Sequence, residues 1–224
     1  MKVIDLSHVI SESMPVFPGT EPPRIVDAFT NDRHGFAEKS LHLLSHTGTH
    51  IDAPGHLLAG APRLDEFAAG SFIGPGLVID VSSLGGSRID VDHVKEYEGR
   101  LRAAEFALLH SGWAGKWGSN GYFSGFPVLS PQTAEWLSGF GLKGVGVDMI
   151  SVDEVDSSAL AVHKTFMAKN MLIVENLAGL ERLIGKNFIF SCLPLKIADA
   201  DGSPVRAVAI MESQVKRQKE KGKS

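Results

Sequence analysis

Two hundred and twenty-four residues, 43% of them apolar and 21% charged, describe an ordinary globular chain with room for one sizeable core. A net charge of -4 excludes the basic footprint of a nucleic-acid or anionic-membrane binder, and no apolar run reaches the roughly 18 residues that a bilayer span needs. The single Cys192 excludes an internal disulfide framework, and Asp5, His8 and Glu12 stand where a secretory leader would need an apolar stretch, so a cytoplasmic protein is expected.

In chain order, residues 2–6 predict a short first strand. Between 13 and 23 come Pro15, Pro18, Pro22 and Pro23 with Gly19, which excludes helix and central strand. This stretch is either a surface connection or an ordered arm that lays Phe17 and Pro18 over a pocket, its own or a neighbouring subunit's. Residues 36–44 alternate loosely and lead as a strand into the chemically densest part of the chain, His46-Thr47-Gly48-Thr49-His50-Ile51-Asp52-Ala53-Pro54-Gly55-His56.

His46, His50, Asp52 and His56 all carry side chains that bind first-row metals. The spacing is not helical, because Thr47 and Thr49 are β-branched and Pro54 ends whatever precedes it. Read as extended chain with period two, His46, Gly48, His50 and Asp52 face one way, and Gly48 removes the side chain that would crowd a cation there. After Pro54 the chain turns, so His56 can return to the same point. His42 has the same parity, but four residues of strand twist carry it away, and it is expected to be structural.

Further on, residues 77–81 and 106–109 predict buried strands, with a modest helix at 91–97 between them. The second strand closes at His110-Ser111-Gly112-Trp113. A glycine-rich segment then carries Trp113, Trp117, Tyr122, Phe123 and Phe126. It is either a pocket wall or a satellite hydrophobic cluster. Ser130 and Pro131 start a helix that carries Ala134, Trp136 and Leu137 and stops at Gly139 or Gly141. Residues 144–148 form a strand with Asp148 at its carboxyl end. A helix over 158–169 places Leu160, His163 and Met167 on one face, closed by Asn170, and a strand over 171–175 ends in Glu175. Asn176 should cap a short helix through Leu183. Residues 188–197 and 205–211 read as two long strands of a hairpin joined by a turn at 199–202. The expected domain is 1–215, followed by a basic, solvated tail at 216–224.

Glu175 follows four apolar residues, and a lone carboxylate buried there carries a desolvation cost of several kcal/mol. It wants a cation, an arginine or a hydrogen-bonded proton. If the connection is short, His163 on the preceding helix reaches the same side of the sheet. Other chemistries lack their signatures: there is no Gly-x-Ser-x-Gly elbow, no dinucleotide or phosphate loop and no His-Glu-x-x-His, so hydrolysis would have to run through a metal.

With these residues assembled, the chain resembles the cyclase-like metal hydrolases that include bacterial kynurenine formamidase and isatin hydrolase. Their hallmark His-x-Gly-Thr-His-x-Asp-x-x-x-His is matched from His46 to His56 at every specified position. The likeness continues through residues 5–8, 14–19, 111–113, 148–153 and 174–177. The resemblance implies an α/β swivelling β/β/α-type domain, with a mixed sheet and flanking helices, in a homodimer or larger assembly. It implies that His46, His50 and Asp52 hold a first metal, that His163 and Glu175 hold a second while Asp52 is shared, and that His56 is the general acid/base. The arm carries Phe17 where members commonly have tyrosine.

The expected activity is metal-assisted hydrolysis of a small amide, most simply an aryl formamide of the N-formylkynurenine type, with Phe17 or Trp113 as an aromatic wall. A cyclic amide or lactone such as isatin is the alternative, and a non-catalytic metal or small-ligand binder is the alternative from another class. The mixed imidazole and carboxylate set admits Zn²⁺, Mn²⁺ or Fe²⁺, one or two ions per subunit. A small-molecule substrate, with no nucleic acid or membrane partner, is expected.

Overall fold

In a computed structural model, residues 1–86 and 88–212 are described, so the basic stretch at 216–224 lies outside the described residues. The strands are β1 (Lys2–Asp5), β2 (Arg24–Phe29), β3 (Glu38–His42), β4 (His50–Asp52), β5 (Ile73–Asp80), β6 (Phe106–His110), β7 (Gly144–Val147), β8 (Leu172–Glu175), β9 (Phe188–Ser191), β10 (Gly202–Pro204) and β11 (Val208–Met211). Short helices α1 (Asn31–His34), α2 (Val91–Val94), α3 (Glu98–Leu101), α4 (Pro131–Ser138) and α5 (Ala161–Met167) fill the connections. Among the described residues, one nine-stranded mixed sheet runs β1-β11-β9-β5-β6-β7-β8-β4-β10, and β2 pairs with β3 in a separate two-stranded ribbon. Strands β5, β6, β7 and β8 are parallel, while β4 and β10 extend the sheet antiparallel beyond β8. The sheet curls: β10 and β11, three residues apart in the chain, lie towards its two opposite ends.

Period two sorts the apolar runs onto two faces. Leu77 and Ile79, Ala107 and Leu109, and Val145 and Val147 join Ile173 in one cluster, with Leu137 of α4 and Phe166 of α5. Val78, Phe106, Leu108, Val174 and Ile51 point the other way, into a second cluster with Phe190 and Cys192. Both faces are covered, which is why the central strands read as continuous apolar runs rather than alternating ones.

That parity also places the chemistry. Ile51 faces the second cluster, so its neighbours His50 and Asp52 face the α5 side. The antiparallel register sets His50 opposite Glu175 and Asp52 opposite Ile173. His50, Asp52 and Glu175 therefore share one face of two adjacent strands.

Several expectations need correction. The strand expected at 36–44 is β3, exposed throughout and outside the main sheet. Its partner β2 carries no strong alternation and was not expected. The helix at 158–169 is shortened to α5, because Leu160 sits at φ 46°, a left-handed conformation that breaks the helix. Asn176 caps no helix. At φ 57° it turns the chain, and the single 3₁₀ turn Leu180–Leu183 begins after Gly179. The hairpin survives as β9 against β11, but both strands are shorter, because residues 202–204 leave it to pair with β4.

Candidate metal centre

Only part of the histidine motif is strand. Residues 46–49 form an irregular turn before β4, with Gly48 at φ 68°. A side chain added at Gly48 would meet Ile10 Cγ1 at 3.3 Å, so this glycine serves the turn and its packing rather than clearing space for an ion. The turn still delivers His46 to Asp52, with Nδ1 2.7 Å from Oδ1.

Four further contacts bring the remaining groups together. His50 Nε2 lies 3.3 Å from Asp52 Oδ1 and 3.5 Å from Glu175 Oε2. From α5, His163 Nε2 lies 3.4 Å from Glu175 Oε1 and 4.0 Å from Asp52 Oδ2. Atoms that ligate one ion at about 2.1 Å stand roughly 3–4 Å from one another, so these spacings suit a cation better than direct hydrogen bonds. His46, His50 and Asp52 make one such group, and Asp52, His163 and Glu175 a second, with Asp52 common to both. The residues present fit one or two divalent ions.

Each imidazole is held from behind. His50 Nδ1–H donates to the Gly48 carbonyl at 2.8 Å, which leaves Nε2 facing the carboxylates. The same carbonyl accepts from Asn176 Nδ2 at 2.9 Å, and Tyr122 donates its hydroxyl to Asn176 Oδ1 at 2.7 Å. His163 Nδ1 meets Asp153 Oδ2 at 2.7 Å, while Asp153 also accepts the backbone N–H groups of Val162 and His163 and so ties down the start of α5. Such outer contacts fix ring orientation and tautomer.

Charge balance follows from the burial of Asp52 and Glu175, 1% and 5% exposed. Burial disfavours a charged His163, but Asp153, Glu175 and Asp52 outweigh it and lift its pKa to about 10. His46 is likewise lifted against burial, by Asp52 and Asp201, to about 9. His50 is raised by Asp52 and Glu175 despite complete burial. Burial opposes ionisation of Asp52, yet His46 and His50 hold it well below the usual carboxylate range. Protonated imidazoles thus supply the positive charge that these acids require.

The centre opens into a cavity of about 420 Å³. His56 lines it, as do Pro15 and Phe17 of the proline-rich arm, though Pro18 does not, so the arm covers a pocket of its own chain through Pro15 and Phe17. Leu44, Ile150 and Leu160 supply further apolar wall. Trp113 is not brought here: it is buried in the core, donating Nε1–H to the Tyr122 carbonyl and packing on Phe126. The aromatic loop is a hydrophobic cluster that clamps Tyr122. His42 sits exposed on β3 near Glu21.

Sequence reading missed Asp201. It lies inside the 199–202 turn, yet its Oδ2 is 3.0 Å from both His46 Nε2 and His56 Nδ1. It also missed Asp153, Asn176 and Tyr122. Asp153 and Asn176 left a trace, inside the stretches 148–153 and 174–177 of the family likeness, but with no role at the site assigned to either.

Residues 4–154 match the Cyclase family model, described as "Putative cyclase". The chain is 32% identical over 206 residues to the kynurenine formamidase of Bacillus mycoides (strain KBAB4), covering 92% of this chain and 95% of that protein. Among solved structures, isatin hydrolase A from Ralstonia solanacearum superposes with a TM-score of 0.84 at 26% identity, covering 94% of this chain and 92% of that one. An isatin hydrolase bound to the product analogue thioisatinate shares the fold with a TM-score of 0.86 at 23% identity, over 95% and 93% of the two chains.

Proposed function

The chain belongs to the Cyclase family, and on that premise we propose that it is a metal-dependent hydrolase of small non-peptide amides, of arylformamidase type. The observation that carries this reading is the convergence of His46, His50, Asp52, His163 and Glu175 at the wall of one cavity. A closed site would suit a storage or structural metal, whereas a cavity beside the ligands admits substrate and water. Hydrolysis of a cyclic amide such as isatin is the second reading, favoured by the structural likeness to isatin hydrolase A.

His46, His50 and Asp52 would hold one ion, and Asp52, His163 and Glu175 a second. Zn²⁺ and Mn²⁺ both suit this donor set. A bound divalent ion supplies positive charge to the carbonyl oxygen and acidifies water towards a pKa of about 7. The chain does the rest. Phe17 and the neighbouring apolar wall orient the aryl group. His56, partly exposed in the cavity, takes a proton from the attacking water and returns it to the leaving nitrogen as the C–N bond breaks, a role typically worth 10²–10⁴-fold. A formamide then yields formate and an amine.

We propose one domain for the expected span 1–215, a reading supported among the described residues by a main sheet that joins Lys2–Asp5 to Val208–Met211. A homodimer is proposed because the ribbon of β2 and β3 exposes Val26 and Leu41, and a two-stranded ribbon is marginal alone. The buried, unpaired Cys192 suits a reducing cytoplasm. Among the described residues, no helix is long and apolar enough to cross a membrane.

The test is to strip the protein with a chelator, reload it with Zn²⁺ or Mn²⁺ and assay N-formylkynurenine and isatin. Turnover should return with metal, and His56→Ala should keep the metal while losing at least about 100-fold in kcat. Turnover by the stripped protein, or an undiminished His56→Ala, contradicts the reading.

A further inference from the structure

From the shared carboxylate at the start of β10, we propose that Asp201 is the positioning residue of the proton carrier His56, tying that ring to the metal ligand His46. The inference rests on the reading of His56 given above. Asp201 Oδ2 lies 3.0 Å from His56 Nδ1 and 3.0 Å from His46 Nε2, so one oxygen anchors two imidazoles. The two ring centroids are 4.1 Å apart. The other oxygen, Oδ1, accepts from Ser45 Oγ at 3.0 Å, which stops the carboxylate from rotating.

The backbone under Asp201 is equally constrained. Its carbonyl accepts the Ala53 N–H at 2.9 Å, the preceding Ala200 carbonyl accepts from Leu64 at 2.9 Å, and the next residue, Gly202, pairs directly with Asp52. A one-residue slip of β10 would turn the side chain at 201 to the other side. Gly202 leaves room for this packing: a Cβ there would stand 2.6 Å from His46 Cε1. Asp201 is thus fixed relative to Asp52 by strand pairing and relative to both rings by hydrogen bonds.

The chemical consequence is a defined tautomer. With Nδ1–H donated to Asp201, His56 keeps Nε2 as the nitrogen that takes and returns a proton, and the nearby carboxylate stabilises the imidazolium formed midway. Removing the acceptor at 201 leaves the ring free to rotate, whereas an asparagine oxygen there can still accept the Nδ1–H bond.

Two measurements test this. In metal-free protein labelled with ¹⁵N-histidine, long-range ¹H–¹⁵N spectra should show the neutral form of His56 as the Nδ1–H tautomer in the native chain, and as a mixture of tautomers in Asp201→Ala. With metal at saturation, kcat on N-formylkynurenine should fall about 10–100-fold in Asp201→Ala and less in the isosteric Asp201→Asn, while KM changes by less than about threefold. Unchanged His56 spectra in Asp201→Ala, or native kcat in both variants while His56→Ala is inactive, would overturn the role of Asp201 and leave His56 standing. Full activity of His56→Ala would remove both. The spectra decide the positioning claim even if N-formylkynurenine is not turned over.

Discussion

Asp148 and Glu175 stand at the carboxyl ends of adjacent parallel strands, just past β7 and at the end of β8, 1% and 5% exposed, and the fold treats them in opposite ways. Asp148 is enclosed by donors. The Ser111 and Gly112 N–H groups, the Ser111 hydroxyl and His110 Nδ1 all converge on it. Glu175 receives one backbone N–H, from Val152 at 3.1 Å, and otherwise faces His50 and His163 across 3.5 and 3.4 Å. A buried carboxylate held by two backbone N–H groups and a hydroxyl, with a single imidazole, His110, beside them, is a structural tie. One whose side-chain neighbours are the two imidazoles of His50 and His163 is a candidate seat for a cation.

The comparison breaks most decisively by neutralising each side. Asp52→Asn or Glu175→Gln should lower metal affinity by more than about 100-fold, measured by equilibrium dialysis, while the chain still melts cooperatively. Asp148→Asn should keep the metal stoichiometry but lose about 3 kcal/mol of stability in urea, since it breaks charge-assisted buried bonds. Equal metal loss in all three variants would erase the distinction.

Acidity gives the next largest effect. His46 and His163 have folded pKa values of about 9 and about 10, above the 6.5 of a free imidazole. In the metal-free chain their contribution is fully present below pH 6.5 and is lost as pH rises through 9 to 10, so its melting temperature should fall over that window. Metal binding near pH 7 should release protons, and affinity should climb about tenfold per pH unit for each proton released. A metal-binding curve independent of pH between 7 and 9 would mean that the imidazoles were already neutral.

The smallest effect tests how far support extends behind the ligands. Tyr122→Phe removes one buried hydroxyl, whose bond to Asn176 backs the Gly48 carbonyl and through it His50. A loss of about 1 kcal/mol in stability is expected, with metal affinity lowered by less than about tenfold. A larger drop in affinity than in stability would place Tyr122 in the metal's support rather than in the core.

How much of this was legible in advance depended on sequence distance. His46 to His56 is local, so residue type and spacing announce a metal site, and Glu175 betrays itself as an acid closing an apolar run. Asp201 is 145 residues from His56 and sits in an Asp-Ala-Asp-Gly turn whose composition explains itself without a site. Trp113 shows the converse: an aromatic-rich loop looks the same on paper whether it lines a pocket or fills a core.

The order of amino acids alone determined the buried strands, the candidate metal-binding motif and the family, because each is written in periodicity or short-range spacing. Tertiary structure alone decided that β4 lies between β8 and β10 and that Asp201 reaches two imidazoles. Periodicity reports which side of a strand is buried but not which strand lies beside it. Pairing partners are chosen by packing over the whole curled sheet, and the meeting of Asp201 with His46 and His56 exists only once that choice is made.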